Sequence, residues 1–471
     1  MRLPSSPSEL PLLVYAAGMP ALALAFYSGS NHDATRLVQL GAVLLTTAMA
    51  AFSLIAHSPT WPRPAAAWLV GALAAASMAM SEVPTMAVRE AALVLGCAAT
   101  AWVAADRFIS TSLAPARLAT LLGSALYAFL LVLLSLSPLI QRAPLDWASL
   151  AVGYDNYRFF NHVQTVALPL LAVVASQPGP GRDVRLMRGA AWFSMVVYWA
   201  FVFCSGARGT ALAISVAALG AALLVGWRAA ASMVRTMTVS AIGGAAAYAL
   251  IFELLPALGL LPVGASAERS LPSLASDSSR LLLWRIAWDD IVASPWLGIG
   301  PMHYAHFPNP KAAHPHNIYL QVAAEWGIPV LLMLLVLTGR ALWRLARTIR
   351  SVADDCARAE GAGLLVACLA ILADGFVSGN FVMPVAQMWI VLCGAWAIAW
   401  TRMHGPAISA APRASMAWTR ATGVALLASQ LWLVLDVWPE ASDLRAHLQH
   451  VQHDLVHNAR TSPRFWSDGW F

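Results

Sequence analysis

Long apolar runs separated by short polar turns recur along the whole chain. A helix needs about 20 mainly apolar residues to cross the hydrocarbon core of a bilayer. Runs that meet this lie at 10–28, 37–57, 65–82, 87–106, 118–140, 161–177, 187–205, 209–227, 236–258, 318–338, 361–379, 382–400 and 416–437. With no water inside the bilayer to satisfy backbone groups, such runs must be helical. The pattern therefore predicts an all-α, polytopic transmembrane helical bundle of 12–13 crossings. The first run, Leu10 to Tyr27, has no clear cleavage site behind it and reads as a retained helix rather than a signal peptide.

Two polar stretches interrupt this pattern, 259–317 and 438–471. In the first, Ser278 and Ser279 stand where a helix cap belongs, before a helix beginning near Arg280. Leu281, Leu282, Trp284, Ile286, Trp288 and Ile291 give that helix an amphipathic spacing suited to lying along a surface. Pro295 stops it, Gly298 and Gly300 form a turn, and a short segment through His303, His306 and His314 leads to the next crossing. In the second stretch, Leu444, Leu448, Val451 and Leu455 make a stripe fit for an interfacial helix, beside a solvated face of His447, His450, His453 and His457. No repeat of fixed period is present.

Composition sharpens the class. The chain has 471 residues, 59% hydrophobic and only 11% charged, against about 25% charged in an ordinary globular domain. That excludes a string of soluble domains, a disordered chain, a collagen and a disulfide-framed secreted domain. The net charge of +6 comes almost wholly from Arg, Lys311 being the one Lys. No basic block interleaved with aromatics resembles a nucleic-acid site, so no nucleic-acid partner is expected. The arginines report orientation instead. Arg107 and Arg117, then Arg182, Arg185 and Arg188, then Arg228 and Arg235, then Arg340, Arg344, Arg347 and Arg350, and finally Arg402, Arg413 and Arg420 mark alternate loops as cytoplasmic. The loop 259–317 then faces outward. Cys97, Cys204, Cys356, Cys368 and Cys393 form neither a CxxC pair nor a disulfide framework.

Chemistry gathers on the outward side. Arg208 sits in Ser205-Gly206-Ala207-Arg208-Gly209-Thr210, in a loop so short that it lies close to the helix ends. A guanidinium there can grip a phosphate through two parallel hydrogen bonds, or it can snorkel toward lipid headgroups. Arg280, at the start of the loop helix, is placed where a helix dipole also attracts anions, or else on a solvated face; Arg285 reads as structural. His314-Pro315-His316-Asn317 stands at the lip of a crossing, where a His can serve as general base and an Asn can orient a hydroxyl. His303, His306, His314 and His316 lack a carboxylate at regular spacing, so no metal site is expected. Asp155-Asn156-Tyr157-Arg158-Phe159-Phe160-Asn161-His162 is a further polar cluster. Arg158 is placed to join an anion site, and Asn161 and Gln164 to bind sugar hydroxyls, unless the cluster is an interfacial aromatic belt. Asp374, within a crossing, calls for a polar partner in the bundle.

In that order and spacing, Arg208 in its SGARGT segment, Arg280 followed by Trp284, Pro295-Trp296-Leu297-Gly298-Ile299-Gly300, His316-Asn317-Ile318-Tyr319-Leu320-Gln321 and Glu325-Trp326-Gly327 resemble the O-antigen ligase and polymerase superfamily. The resemblance covers about 205–327 by motif and the rest by its many-helix architecture. It implies a glycosyltransferase of the multi-spanning GT-C type in the bacterial inner membrane, its active site facing the periplasm. The donor would be an undecaprenyl diphosphate-linked glycan. For the ligase branch the acceptor would be lipid A–core, in lipopolysaccharide biosynthesis. By the same resemblance His316 would be the general base, Arg208 and Arg280 would hold the donor diphosphate, and Arg158, Asn161 and Asn317 would contact substrate, with no metal or other cofactor and with inversion at the anomeric carbon. Residues 1–437 would form the transferase domain, including the periplasmic loop 259–317, and 438–471 a polar tail.

The physical logic agrees with that expectation. A glycosyl diphosphate already carries a good leaving group, so a base and two or three guanidiniums suffice. Two lipid-anchored substrates are pre-oriented by the membrane, and lateral openings between helices are expected for their tails. The O-antigen polymerase and the protein O-oligosaccharyltransferase share the signature and differ in acceptor. A transporter of an anionic lipid or sugar is the alternative of another class, but neither midplane helix breaks nor repeat symmetry stand out.

Overall fold

The computed structural model describes residues 30–57, 65–145, 150–262, 278–307, 309, 311–406, 416–443, 463–467 and 469–471. The expected crossing at 10–28 and the stripe and histidines at 444–457 lie outside the described residues. Among the described residues every regular element is helical. In chain order they are α1 (Asn31–His57), α2 (Ala65–Met80), α3 (Pro84–Ser110), α4 (Ala114–Gln141), α5 (Tyr157–Ala175), α6 (Arg182–Cys204) and α7 (Arg208–Val225). There follow α8 (Trp227–Ala249), extended by a π turn to Ala257, α9 (Ser278–Ala293), α10 (Ile318–Trp326), α11 (Ile328–Ser351), α12 (Asp355–Asp374), α13 (Pro384–His404) and α14 (Met416–Ser442). Eleven spans among the described residues are long and apolar enough to cross a membrane. The chain is an all-α, multi-pass membrane protein.

Helices α5, α12 and α13 form the centre. From Val166 to Val174, and from Leu364 to Ala367, side chains are fully buried on every face, as a helix enclosed by other helices requires. Outer helices instead carry exposed apolar side chains such as Leu223, Ile242 and Leu332, the face a bilayer would cover.

The bundle has two chemically different ends. At one end lie the Arg-bearing turns: Arg117 pairs with Glu360, and Arg402 stacks 3.9 Å from the centre of the Trp102 ring. At the other end lie the first turns of α1, α3, α5, α7 and α13 and the loops around α9 and α10. Asp155 accepts hydrogen bonds from the Asn31 and His32 amides and the Ser30 hydroxyl, which caps α1.

One expected crossing is corrected. The run 318–338 is not a single helix but two, α10 and α11, broken at Gly327. Gly327 has φ +86°, and a Cβ there would stand 2.3 Å from the Trp296 carbonyl oxygen. The break arises from a distant backbone that presses on this position, which apolar patterning along the run cannot reveal.

Candidate active site

The site end is organised by two interlocked turns. Gly298 (φ +70°) leaves no room for a Cβ against the Glu325 carbonyl, 2.4 Å away. In return the Ile299 and Gly300 amides donate to the Ala324 and Glu325 carbonyls. The Pro295–Gly300 and Glu325–Gly327 motifs are thus two halves of one backbone lock, and their spacing has a structural reason. The lock fixes α9 and α10 relative to each other. Between them Leu283, Ala287 and Ile291 of α9 pack on Tyr304, Ala312, Ala323 and Ala324. That buried stripe differs from the expected apolar set: Leu281 and Trp288 are exposed instead.

The lock also sets the path of the loop that leads to His314 and His316. Trp284, one turn after Arg280, donates its indole N–H to the Pro315 carbonyl at 3.1 Å. Residues four apart share a helix face, so the helix end bearing Arg280 docks directly on the histidine loop. His314 is buried, and its Nδ1 accepts the His316 amide at 3.3 Å. That bond makes the Nε2–H tautomer of His314 the compatible one. Burial, then the charges of His316 and Arg464, hold its ring well below the ordinary histidine range. The His316 ring packs 4.1 Å from the His314 ring, and His316 itself is half-exposed. Its backbone lies at φ +53°. A left-handed non-glycine residue costs about 1–3 kcal/mol and tends to mark functional sites. Asn317 is buried and caps α10, accepting the Tyr319 and Leu320 amides.

The Arg208 side of the site meets this loop through the end of α12. The Ile318 amide donates to the Gly375 carbonyl at 2.8 Å, and a Cβ on Gly379 would stand 2.6 Å from the His314 ring. Asp374 accepts the Ser378 hydroxyl at 2.6 Å and lies 3.8 Å from His162 Nδ1. These are the polar partners its position called for. A Cβ on Gly209 would stand 3.7 Å from the same carboxylate. The exposed Arg208, the first residue of α7, is therefore tied to His314 through one short turn.

The remaining expected contacts are arranged differently. Asn161 is buried, and its amide donates to Gln164 and Ser205, joining α5 to the turn before α7. Arg158 is exposed, with its guanidinium 5.9 Å from the centre of the Tyr157 ring.

A second set of charged residues, not singled out in the sequence, stands beside the histidine loop. Residues 463–467 and 469–471 are not a free polar tail but a buried strap. Arg464 Nη2 donates to Glu325 at 2.6 Å and to Glu90 at 2.7 Å. Phe465 lies between the guanidiniums of Arg36 and Arg89, each 5.3 Å from its ring centre. Trp466 donates to Glu440, and Ser467 donates twice to Asp33. The Phe471 carbonyl lies 3.1 Å from His306 Nδ1. Burial works against the Arg464 charge, but Glu325 and Glu90 outweigh it and hold the guanidinium above its usual range. Arg36, Arg89 and Glu90 within apolar helices were the available signal.

Beside the strap a cavity of about 560 Å³ runs between α2, α3, α10 and α11, apolar along its length, with Arg36, Glu90 and Arg464 at one end.

Residues 193–335 match the family model described as O-Antigen ligase. No curated protein matches the chain.

Proposed function

We propose, given that the chain is a member of the O-antigen ligase and polymerase superfamily, that it is an O-antigen ligase. It transfers a glycan from undecaprenyl diphosphate to a sugar hydroxyl of lipid A–core, at the periplasmic face of the inner membrane. The observation that carries this reading is the docking of the Arg280 helix end on the His314–Asn317 loop, by the 3.1 Å bond from Trp284 to Pro315. With the Gly209–Asp374 and Gly379–His314 approaches, it gathers one imidazole loop and two arginine-bearing helix ends at one end of the bundle.

In the reaction, His316 takes the proton of the acceptor hydroxyl as its oxygen bonds to the anomeric carbon. The bond from that carbon to the diphosphate oxygen breaks, and the electron pair leaves with the diphosphate. Arg208 and Arg280 meet that charge with forked donors, and attack opposite the leaving group inverts the anomeric centre. His314 supports His316 from behind: neutral and buried, it accepts the His316 amide and holds a strained backbone in place. Arg158 lies in the polar approach to the same end. Asn317 acts by capping α10 directly after the base, and Asn161 by fixing the turn before Arg208.

The test uses the purified full chain with one undecaprenyl diphosphate-linked glycan and three acceptors: lipid A–core, a second lipid-linked repeat, and a Ser- or Thr-bearing protein. Extension of lipid A–core alone supports the ligase. Extension of the repeat makes the protein a polymerase, and glycosylation of the protein acceptor makes it an O-oligosaccharyltransferase. Uptake of a lipid-linked glycan across a vesicle membrane without transfer would make it a transporter.

A further inference from the structure

The segment that leads to the histidine pair is held from two sides. Tyr304 and Ala312 pack with Leu283, Ala287 and Ile291 of α9. Their chain neighbours Ala305 and Ala313 are fully buried in a separate cluster, with Trp470 of the strap. Phe471 extends this second contact, its ring 5.5 Å from that of His303 and 5.2 Å from that of His306. Ala313 directly precedes His314, so Trp470 braces the chain one residue before the pair.

Trp470 is itself anchored independently of that segment. Ser467 donates its amide and hydroxyl to Asp33 of α1, and Trp466 donates to Glu440 of α14. Arg464 donates to one oxygen of Glu325, whose other oxygen accepts the Tyr304 amide at 3.2 Å. The strap thus ties both ends of 304–313 to the long helices of the bundle.

The segment needs such support. His316 lies at φ +53°, and a strained backbone persists only where its surroundings over-determine it. The Trp284 bond to the Pro315 carbonyl and the packing of Ala312 hold the loop against α9. The Trp470 ring closes the side from which it could move away. That ring is 4% exposed, and its Nε1 has no hydrogen-bond partner among the described residues. A buried Trp usually finds a partner for its N–H, so this one acts by its volume.

We propose that Trp470 is a positioning residue for the transfer reaction: it fills the space behind Ala305 and Ala313 and so keeps His316 in reach of the acceptor hydroxyl, without touching substrate. This rests on His316 being the base, as read above. A base must stand about 2.6–3.2 Å from the atom whose proton it takes, and a misplacement of about 1 Å costs about 10²-fold. The loss therefore falls on kcat rather than on the binding of either lipid.

The experiment compares the full-length wild type with Trp470→Ala, Trp470→Phe and Trp466→Phe. Transfer is measured from an undecaprenyl diphosphate-linked glycan to lipid A–core. Loop position is read without substrate, as exchange of the imidazole C2 proton with deuterium, followed by mass spectrometry. His404, at the far end of α13, is the internal reference. Trp470→Ala should lower kcat by about ten- to a hundredfold with both KM values within about twofold. It should speed exchange at His314 by about threefold or more and leave His404 unchanged. Trp470→Phe keeps most of the volume and loses only an unpaired N–H, so it should restore both readouts to within about threefold. Trp466→Phe loses the bond to Glu440 on the strap's other side, and should lower the thermal midpoint while kcat and His314 exchange stay put. If Trp470→Ala does not accumulate, Trp470→Leu carries the same comparison with a smaller change. Unchanged His314 exchange, a raised KM at normal kcat, or a Trp470→Phe as poor as the Ala variant overturns the proposal. A wild type that transfers no glycan, with exchange behaving as expected, upholds the brace on the loop and overturns the transferase reading.

Discussion

Two sets of arginines stand at the same end of the bundle and behave in opposite ways. Arg36, Arg89 and Arg464 are buried and held by carboxylates, carbonyls or an aromatic ring. Arg158 and Arg208 are exposed, and Arg280 is half-exposed at a helix start. Charge inside a membrane protein is costly unless paired. The buried set is therefore scaffold: it ties α1, α3, α10 and α14 to the strap. The outward set stands at helix starts, and in the function proposed above that placement would let it meet a mobile anion with little reorganisation. Location at one end of a bundle does not divide these arginines; depth of burial does.

The sharpest division between the two sets comes from activity. His316→Ala should insert normally and lose about 10²–10⁴-fold in turnover, measured with purified lipid substrates; near-normal turnover would remove the base assignment. Arg208→Lys and Arg280→Lys should each lose about tenfold to a hundredfold in kcat/KM, since an ammonium cannot reproduce the fork, with thermal stability unchanged. The buried set should show the reverse emphasis. Arg89→Ala strands Asp436 and Glu440, and should cost about 3–5 kcal/mol of stability, read as a lowered midpoint in a detergent unfolding series.

The smallest effect concerns His314. Its folded pKa lies below the unfolded value of 6.5. As pH falls below 6.5 the unfolded state takes up a proton that the folded state refuses, so stability is lost on acidification. Wild type minus His314→Asn isolates that group. The difference should shrink by up to about 1.4 kcal/mol per pH unit below pH 6.5, and should be flat above it. A difference that grows on acidification would contradict a neutral, buried His314.

The helices were legible because apolar runs of spanning length leave the backbone no other choice. The loop helix α9 was legible too, but its buried stripe was not. Leu283, Ala287 and Ile291 face in while Trp288 faces out, and both sets are apolar, so period alone could not choose between them. The break at Gly327 and the strap share one reason for escaping notice: each is set by partners far away in sequence. Trp296 presses on Gly327, and Arg464 meets Glu90 and Glu325. Asn161 and Asn317 have the residue type of sugar ligands, yet both sit where helix ends need polar closure. His314 read as one member of a histidine string; its burial against a half-exposed His316 is visible only in the fold.

The strap also bears on biogenesis. Residues 463–471 leave the ribosome after α1 to α14, so Glu90, Glu325 and Asp33 have been made long before Arg464 and Ser467 exist to meet them. Until then three acidic groups must stay hydrated or be chaperoned at the membrane surface, and the corner between α1, α3 and α10 cannot close. The outward end can thus close fully only after the stretch that follows α14 has been made and has docked.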